Sequence, residues 1–211
     1  MSYDIIFNRK HALYASQESK WKRAEKAYSG GQEYITEALI QHVSEVNIEF
    51  QERKKRAHYF NYPRKVSGLI SEYVFSKPAA RNGADGDLVE DWSRSGQQTG
   101  EVMGKALTML SVFGASWVLV DMPATEAEVV TLADKKAERL RPYAVAMSPL
   151  SVPDWCFGGD GRLLWAIVEQ TVTDKSDPEN EPEDIVYRWL WDRERWRKFK
   201  RSESNGAELV E

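Results

Sequence analysis

The 211-residue sequence is poor in the residues that most often build reactive centres. It has one cysteine, Cys156, and three histidines, His11, His42 and His58. A single cysteine excludes an intrachain disulfide and fits a reducing compartment. The histidines show neither HxxxH nor HxH spacing and have no cysteine partner, so no zinc-type ligand set forms from them. Cys156, between Trp155 and Phe157, reads as a small buried apolar residue, with no histidine placed as its base. There is no GxxxxGK[ST] run and no GxGxxG after a strand, which removes the phosphate-loop and dinucleotide-binding readings. No apolar run approaches ~18 residues, and the opening "MSYDIIFNRK" lacks the apolar core of a signal peptide. A soluble, cytoplasmic product without a membrane partner is therefore expected. Basic excess is missing too: 29 Lys and Arg stand against 33 Asp and Glu, for a formal charge of −4. A field of that sign does not suit a protein that grips nucleic acid over its whole surface.

What the chain has in quantity is aromatic side chains, with eight Trp and nine Tyr, a load that suits packing or large interfaces. The first half reads as helices. In "SKWKRAEKAYSGG", Trp21, Ala24 and Tyr28 fall at helical spacing and Gly30-Gly31 stops the helix. A charged helix is expected from about Ser44 to Tyr59, and another after Asn61-Tyr62-Pro63. There Val66, Leu69, Ile70, Tyr73 and Val74 fall at i, i+3, i+4, i+7 and i+8, which predicts a core-facing stripe. A short helix holding Leu88 and Trp92 is expected next, capped by Asp85 or Asp87. Another follows over Thr99 to Phe113, burying Val102, Met103, Ala106, Leu107 and Leu110 and stopped by Gly114. Strands come only later. Trp117–Val120 suggests a strand buried on both faces, "PYAVAMS" and "RLLWAIVEQTV" suggest two more, and "DIVYRWLWDRERWRKFKR" suggests a hairpin turning at Asp192–Arg195 between Trp191 and Trp196. "TEAEVVTLADKKAERL" reads as a polar insertion and "SDPENEPED" as an acidic loop. The expected fold class is α+β, with an N-terminal helical layer and then a mostly antiparallel sheet. The expected divisions are a helical part at 1–115, a β-rich part at 116–201 and a tail without order at 202–211.

Three stretches invite chemistry. Asp121 follows four apolar residues in "FGASWVLVDMP", as does the magnesium-associated acid of phosphate-loop enzymes. Without the glycine-rich loop that holds the phosphates, that reading (a metal-dependent phosphoesterase) gives way to an acid that ends a strand. "NGADGDLVEDW" gathers Asp85, Asp87, Glu90 and Asp91. If Gly86 were a calcium loop's glycine, the first and third ligand positions would be Arg81 and Gly83, which cannot serve. Acids in a helix's first turn explain the cluster. "ERKKRAHYF" is the one basic cluster. Arg53, Lys54, Lys55 and Arg56, followed by Tyr59 and Phe60, suit either a DNA or subunit contact or a solvated helix face. No catalytic residue, metal-ligand set or cofactor motif is assembled, and the chain reads more as an assembly protein than as an enzyme.

Several stretches together resemble the portal proteins of tailed bacteriophages, in a portal-like phage and prophage group. The likeness begins at "W…RAEKAYSGGQEYI", Trp21 to Ile35. It continues in "FQERKKRAHYFNYPRKVSGLISEYVFSKP" through Arg53, Arg56-Ala57, Tyr59, Asn61, Val66, Leu69, Val74-Phe75 and Lys77-Pro78. "FGASWVLVDMP", "RPYAVAMSPLSVPDW", "LLWAIVEQ" and "YRWLWDRERWRKF" extend it over roughly residues 20 to 200. The resemblance implies the wing region of a ring-forming structural protein, commonly of twelve subunits, at one capsid vertex of the virion. DNA passes through such a ring during packaging and ejection without sequence-specific binding. It further implies assembly in the bacterial host cytoplasm, with the packaging terminase, head–tail adaptor and capsid proteins as partners. Portal chains run to several hundred residues and continue into stem, clip and crown, so the resemblance leads to the expectation of either a fragment of such a subunit or a wing-like unit put to another use.

Overall fold

The computed structural model describes residues 3–77, 79–80, 82–83, 86–93, 95–122, 131, 133, 140–175, 181–202 and 206–210, apart from the side chains of Asp87 and Leu88. Asp85, one of the two acids expected to cap the short helix, most of the 125–140 insertion and the first half of the acidic loop at 176–184 lie outside the described residues. The fold is α+β, as expected. Helices α1 (Asp4–Asn8), α2 (Ala12–Ser29), α3 (Gly31–Ala38), α4 (Asn47–Arg56), α5 (Tyr62–Val74), α6 (Gly86–Glu90) and α7 (Thr99–Phe113) come first. Strands β1 (Trp117–Asp121), β2 (Tyr143–Met147), β3 (Asp154–Phe157), β4 (Leu163–Asp174), β5 (Glu183–Asp192), β6 (Trp196–Arg201) and β7 (Glu208–Leu209) follow. The two sheets, β1-β2 and β3-β4-β5-β6-β7, are antiparallel throughout. The compact units cut across the helix-to-strand order. One joins Met1–Trp21 to Pro149–Glu211, and the other is Lys22–Ser148, so neither coincides with a division at 115.

The discontinuous unit is built on the five-stranded sheet. Directly opposed residues of antiparallel strands share a face, so the register sorts the side chains. Glu169, Arg188 and Phe199 form one cross-strand row, and Asp154, Ile167, Leu190 and Arg197 form the next. Cys156, Trp165 and Asp192 follow on the same face. Helix α1 covers that face: Phe7 is buried, and the Arg188 guanidinium lies 5.6 Å from its ring. Only 3% of Arg188 is exposed, so its charge requires close partners. It finds them in Glu169 Oε2, which accepts from Nε at 2.6 Å, and in the carbonyls of Ile6 and Arg9, which accept from Nη1 at 2.6 and 3.3 Å. A cation thus satisfies orphan carbonyls at and just beyond the C-terminal end of α1, where the helix dipole also favours positive charge. The opposite face carries Trp155, Trp189, Trp191 and Trp196, all partly exposed.

The hairpin forms where it is expected. Trp191 and Trp196 are paired across β5 and β6 with ring centroids 6.1 Å apart. Between them Asp192 Oδ1 accepts from the backbone N–H groups of Glu194 and Arg195, each at 2.9 Å. Those bonds, with Arg197 and Arg195 nearby, hold the Asp192 carboxyl below its ordinary range. The chain end differs from expectation: Glu208 and Leu209 pair with Lys200 and Phe199 as β7. An open β6 edge offers unpaired backbone groups, and even two residues can take them up.

In the other unit, the α2–α3 break is a built junction. Gly30 has φ +73° and ψ −156°, backbone that suits only glycine. A Cβ there would lie 2.9 Å from Asn61 Nδ2 and 3.3 Å from Tyr59 Cδ1. Tyr59 donates its hydroxyl to Ala27 O at 3.0 Å, and Asn61 Nδ2 donates to Tyr28 O at 2.7 Å. Asn61 Oδ1 also accepts from Arg64 N at 3.0 Å, so one amide caps α5 and ties it to α2. The 31–38 helix, with Tyr34, Ile35 and Ala38 partly buried on one face, is not among the expected elements. Helix α7 has both expected ends. Glu101 Oε2 accepts from Gln98 N at 3.0 Å, and Gly114, at φ +75°, donates its N–H to Leu110 O at 2.8 Å.

Candidate functional site

The main departure from expectation is in α5. Its five apolar residues were expected to form core, yet all are exposed, from Ile70 at 45% to Tyr73 at 83%. The face that packs on α7 is the neighbouring one, with Ser67, Ser71 and Phe75 at four-residue spacing. Ser67 is buried, and Ser71 Oγ donates to Gly104 O at 3.0 Å. A Cβ on Gly104 would come within 3.3 Å of Ser71 Oγ. Small side chains on both helices allow the backbones to approach closely. That contact turns the larger aliphatic stripe away from α7.

The same pattern runs through the Lys22–Ser148 unit. On α7, Val102 and Ala106 are buried, but Met103 and Leu110 are exposed. Strand β1, expected to be buried on both faces, pairs among the described residues with β2 alone and leaves Val118 and Val120 exposed. Ile40, Val43, Val46 and Ile48 are exposed around the α3–α4 connection as well. Buried apolar side chains among the described residues of this unit are Phe50, Val102, Ala106 and Ala144.

The basic run occupies the last turn of α4 and is largely engaged within the chain. Arg53 forms a two-pronged pair with Glu45, Nε to Oε1 and Nη2 to Oε2, each at 2.8 Å, and also reaches Ile40 O at 2.9 Å. That pairing lowers the Glu45 pKa, chiefly through the hydrogen bond from Arg53. Lys54 Nζ lies 4.5 Å from the centre of the Phe50 ring. Lys55 pairs with Glu52 at 2.9 Å, and Arg56 Nε donates to Glu52 O at 3.3 Å. The four charges also suit the negative end of the helix dipole.

Asp121 ends β1. Its Oδ2 accepts from the Tyr143 hydroxyl and its Oδ1 from Met122 N, both at 2.7 Å. Oδ2 therefore ties β1 to β2, where Asp121 and Tyr143 are in register, and Oδ1 holds the local turn at the strand end. In the acidic stretch, Asp91 Oδ1 accepts from Gly96 N at 2.8 Å and Oδ2 pairs with Arg141. Cys156 is on β3 and only partly buried, and His11 stacks on Trp155 at 4.1 Å. Among the described residues no cluster of three or more His, Cys, Asp or Glu side chains could hold a metal ion, and no helix is long and apolar enough to cross a membrane. Sequence reasoning placed the α5 stripe at the right spacing but assigned it to the interior. Spacing identifies which residues share a face, and only the partner helix identifies where that face points.

No protein-family model matches the chain, and no curated protein matches it.

Proposed function

We propose that this chain is a structural assembly unit, the wing region of a tailed-phage portal ring, and that the exposed face of α5 is a principal subunit contact. The observation that carries the reading is the stripe Val66, Leu69, Ile70, Tyr73 and Val74, solvent-exposed on one face of a regular helix. The spread of portal-like stretches from Trp21 to the β5–β6 hairpin supports it, as does the order of helices before an antiparallel sheet. A ring subunit presents the same surfaces to each neighbour, so an apolar face on every copy finds a complement on the next. Self-association, capsid, adaptor and terminase contacts, and passage of duplex DNA belong to this reading. The alternatives are less well supported. A DNA-gripping role needs Arg53–Arg56, yet Arg53 and Lys55 are paired with carboxylates. A phosphoesterase needs Asp121, whose two oxygens are already bonded to Tyr143 and Met122.

Light scattering on the purified chain tests the reading. The expected result is a concentration-dependent oligomer, with closed rings in electron micrographs of the assembled form. Leu69→Glu combined with Tyr73→Glu is expected to yield monomers with unchanged far-UV circular dichroism, because both side chains are exposed. A wild-type chain that stays monomeric at every concentration, or a double variant that assembles as well as wild type, would overturn it.

A further inference from the structure

The α3–α4 connection is held together by its polar side chains and turns its aliphatic ones outward. Arg53 reaches back from α4 to Glu45, with both prongs at 2.8 Å, and to Ile40 O at 2.9 Å. Gln41 Nε2 donates to Glu45 O at 2.8 Å, and His42 N donates to Glu45 Oε2 at 3.2 Å. These bonds fix the turn while Ile40, Val43, Val46 and Ile48 all stay exposed, none below 59%. Ile40, Glu45, Glu49 and Arg53 stand in the walls of an open groove of about 610 Å³. Glu49 is one helical turn before Arg53, but that guanidinium is taken by Glu45. The exposed Glu49 carboxylate therefore has no cation partner among the described residues.

On α5, Val66, Leu69, Ile70 and Tyr73 fall at i, i+3, i+4 and i+7, the anchor spacing of a helix that lies in a groove. Lys65 is one turn before Leu69, so it flanks the stripe. It is exposed and has no ion pair among the described residues. One unit thus presents a stripe bordered by a free cation and a groove bordered by a free anion. Neither covers the other within the same copy.

We propose that the α3–α4 groove receives α5 of a second copy, head to tail, with Leu69 and Tyr73 against Ile40 and Ile48 and Lys65 facing Glu49. The inference rests on the reading of α5 as a subunit contact and supplies the surface that α5 meets. Opposite charges at the edge of a contact favour the matching pair of surfaces, and like charges disfavour the wrong one. A head-to-tail contact leaves one stripe and one groove unused on every pair, so it propagates, whereas stripe on stripe closes at two copies.

Complementation between two variants, read by light scattering, tests it. Leu69→Glu with Tyr73→Glu removes the stripe, and Ile40→Glu with Ile48→Glu removes the groove. Each protein alone is expected to be a monomer of 24.2 kDa with wild-type circular dichroism, since all four side chains are exposed. An equimolar mixture retains one intact stripe and one intact groove, and should give a dimer and nothing larger. Lys65→Glu or Glu49→Lys alone should weaken assembly roughly tenfold, and the two together should recover most of it. That charge exchange decides the matter even if a groove variant fails to fold. A groove variant that assembles as wild type does, a mixture that stays monomeric, or a charge exchange that restores nothing would overturn the inference while leaving α5 as a contact with some other surface. A wild-type chain that never assembles would remove both readings.

Discussion

Tyr14 shows how much a single buried hydroxyl can contribute in this protein. It is 4% exposed, meets the Trp21 ring edge-on at 5.8 Å, and donates its proton to Leu150 O at 3.2 Å. Burial, reinforced by Glu18 and Glu169, pushes its pKa up from 10.0 to about 12. The folded state therefore holds this proton more tightly than the unfolded chain does. Its contribution is complete below pH 10 and is lost as pH rises from about 10 to about 12. A two-unit shift corresponds to about 2.7 kcal/mol. Chemical denaturation across that range should show wild type losing on the order of 2 kcal/mol more than Tyr14→Phe. Parallel alkaline limbs for the two proteins would show that Tyr14 titrates in the folded protein as it does in the unfolded chain. At neutral pH, Tyr14→Phe should cost only about 1 kcal/mol, the net worth of one neutral hydrogen bond.

Among the elements, those whose signal lies within a few residues of chain were legible in the sequence. The β5–β6 turn carries an Asp that caps its own loop, and α7 ends on a glycine in the left-handed region. Both are local chemistry, and both form as expected. The side chosen by α5 was not legible, because it depends on Gly104 admitting Ser71, a contact between residues far apart in sequence. Strand β7 escaped notice for a related reason: it depends on the free edge of β6 and not on its own residues. The candidate site was half legible. Its residues and spacing are in the sequence, but their exposure is not. Gly30 combines the two kinds of information, since a helix stop is local while the approach of Tyr59 and Asn61 is not. Gly30→Ala should therefore destabilise by on the order of 1–3 kcal/mol through its backbone conformation alone, and by more through the contact with Asn61. Gly31→Ala, with φ +86° but no neighbour within 4 Å, is the matched control. Urea midpoints should fall further for Gly30→Ala; equal midpoints would mean that the Tyr59–Asn61 approach adds nothing.

For the molecule as a whole, the assembly and nucleic-acid readings respond to salt in opposite ways. Association through Leu69, Tyr73 and their neighbours removes apolar surface from water, a driving force that added salt does not screen. The chain's charge of −4 makes like copies repel, and salt relieves that repulsion. Oligomer mass by sedimentation should thus hold or rise between about 50 and 200 mM NaCl, the range over which phosphate-contacting proteins lose affinity steeply. If Arg53, Lys54, Lys55 and Arg56 each neutralised one phosphate, DNA binding would fall on the order of a hundredfold over the same range. Lys54→Glu with Arg56→Glu should leave the oligomer mass unchanged, because neither residue lies on the α5 face. An oligomer that dissociates as salt rises, or that needs Lys54 and Arg56, would move the subunit contact from the apolar stripe to the basic turn of α4. Retention on duplex DNA that survives at 50 mM NaCl and disappears in the charge-reversed pair would restore the nucleic-acid reading.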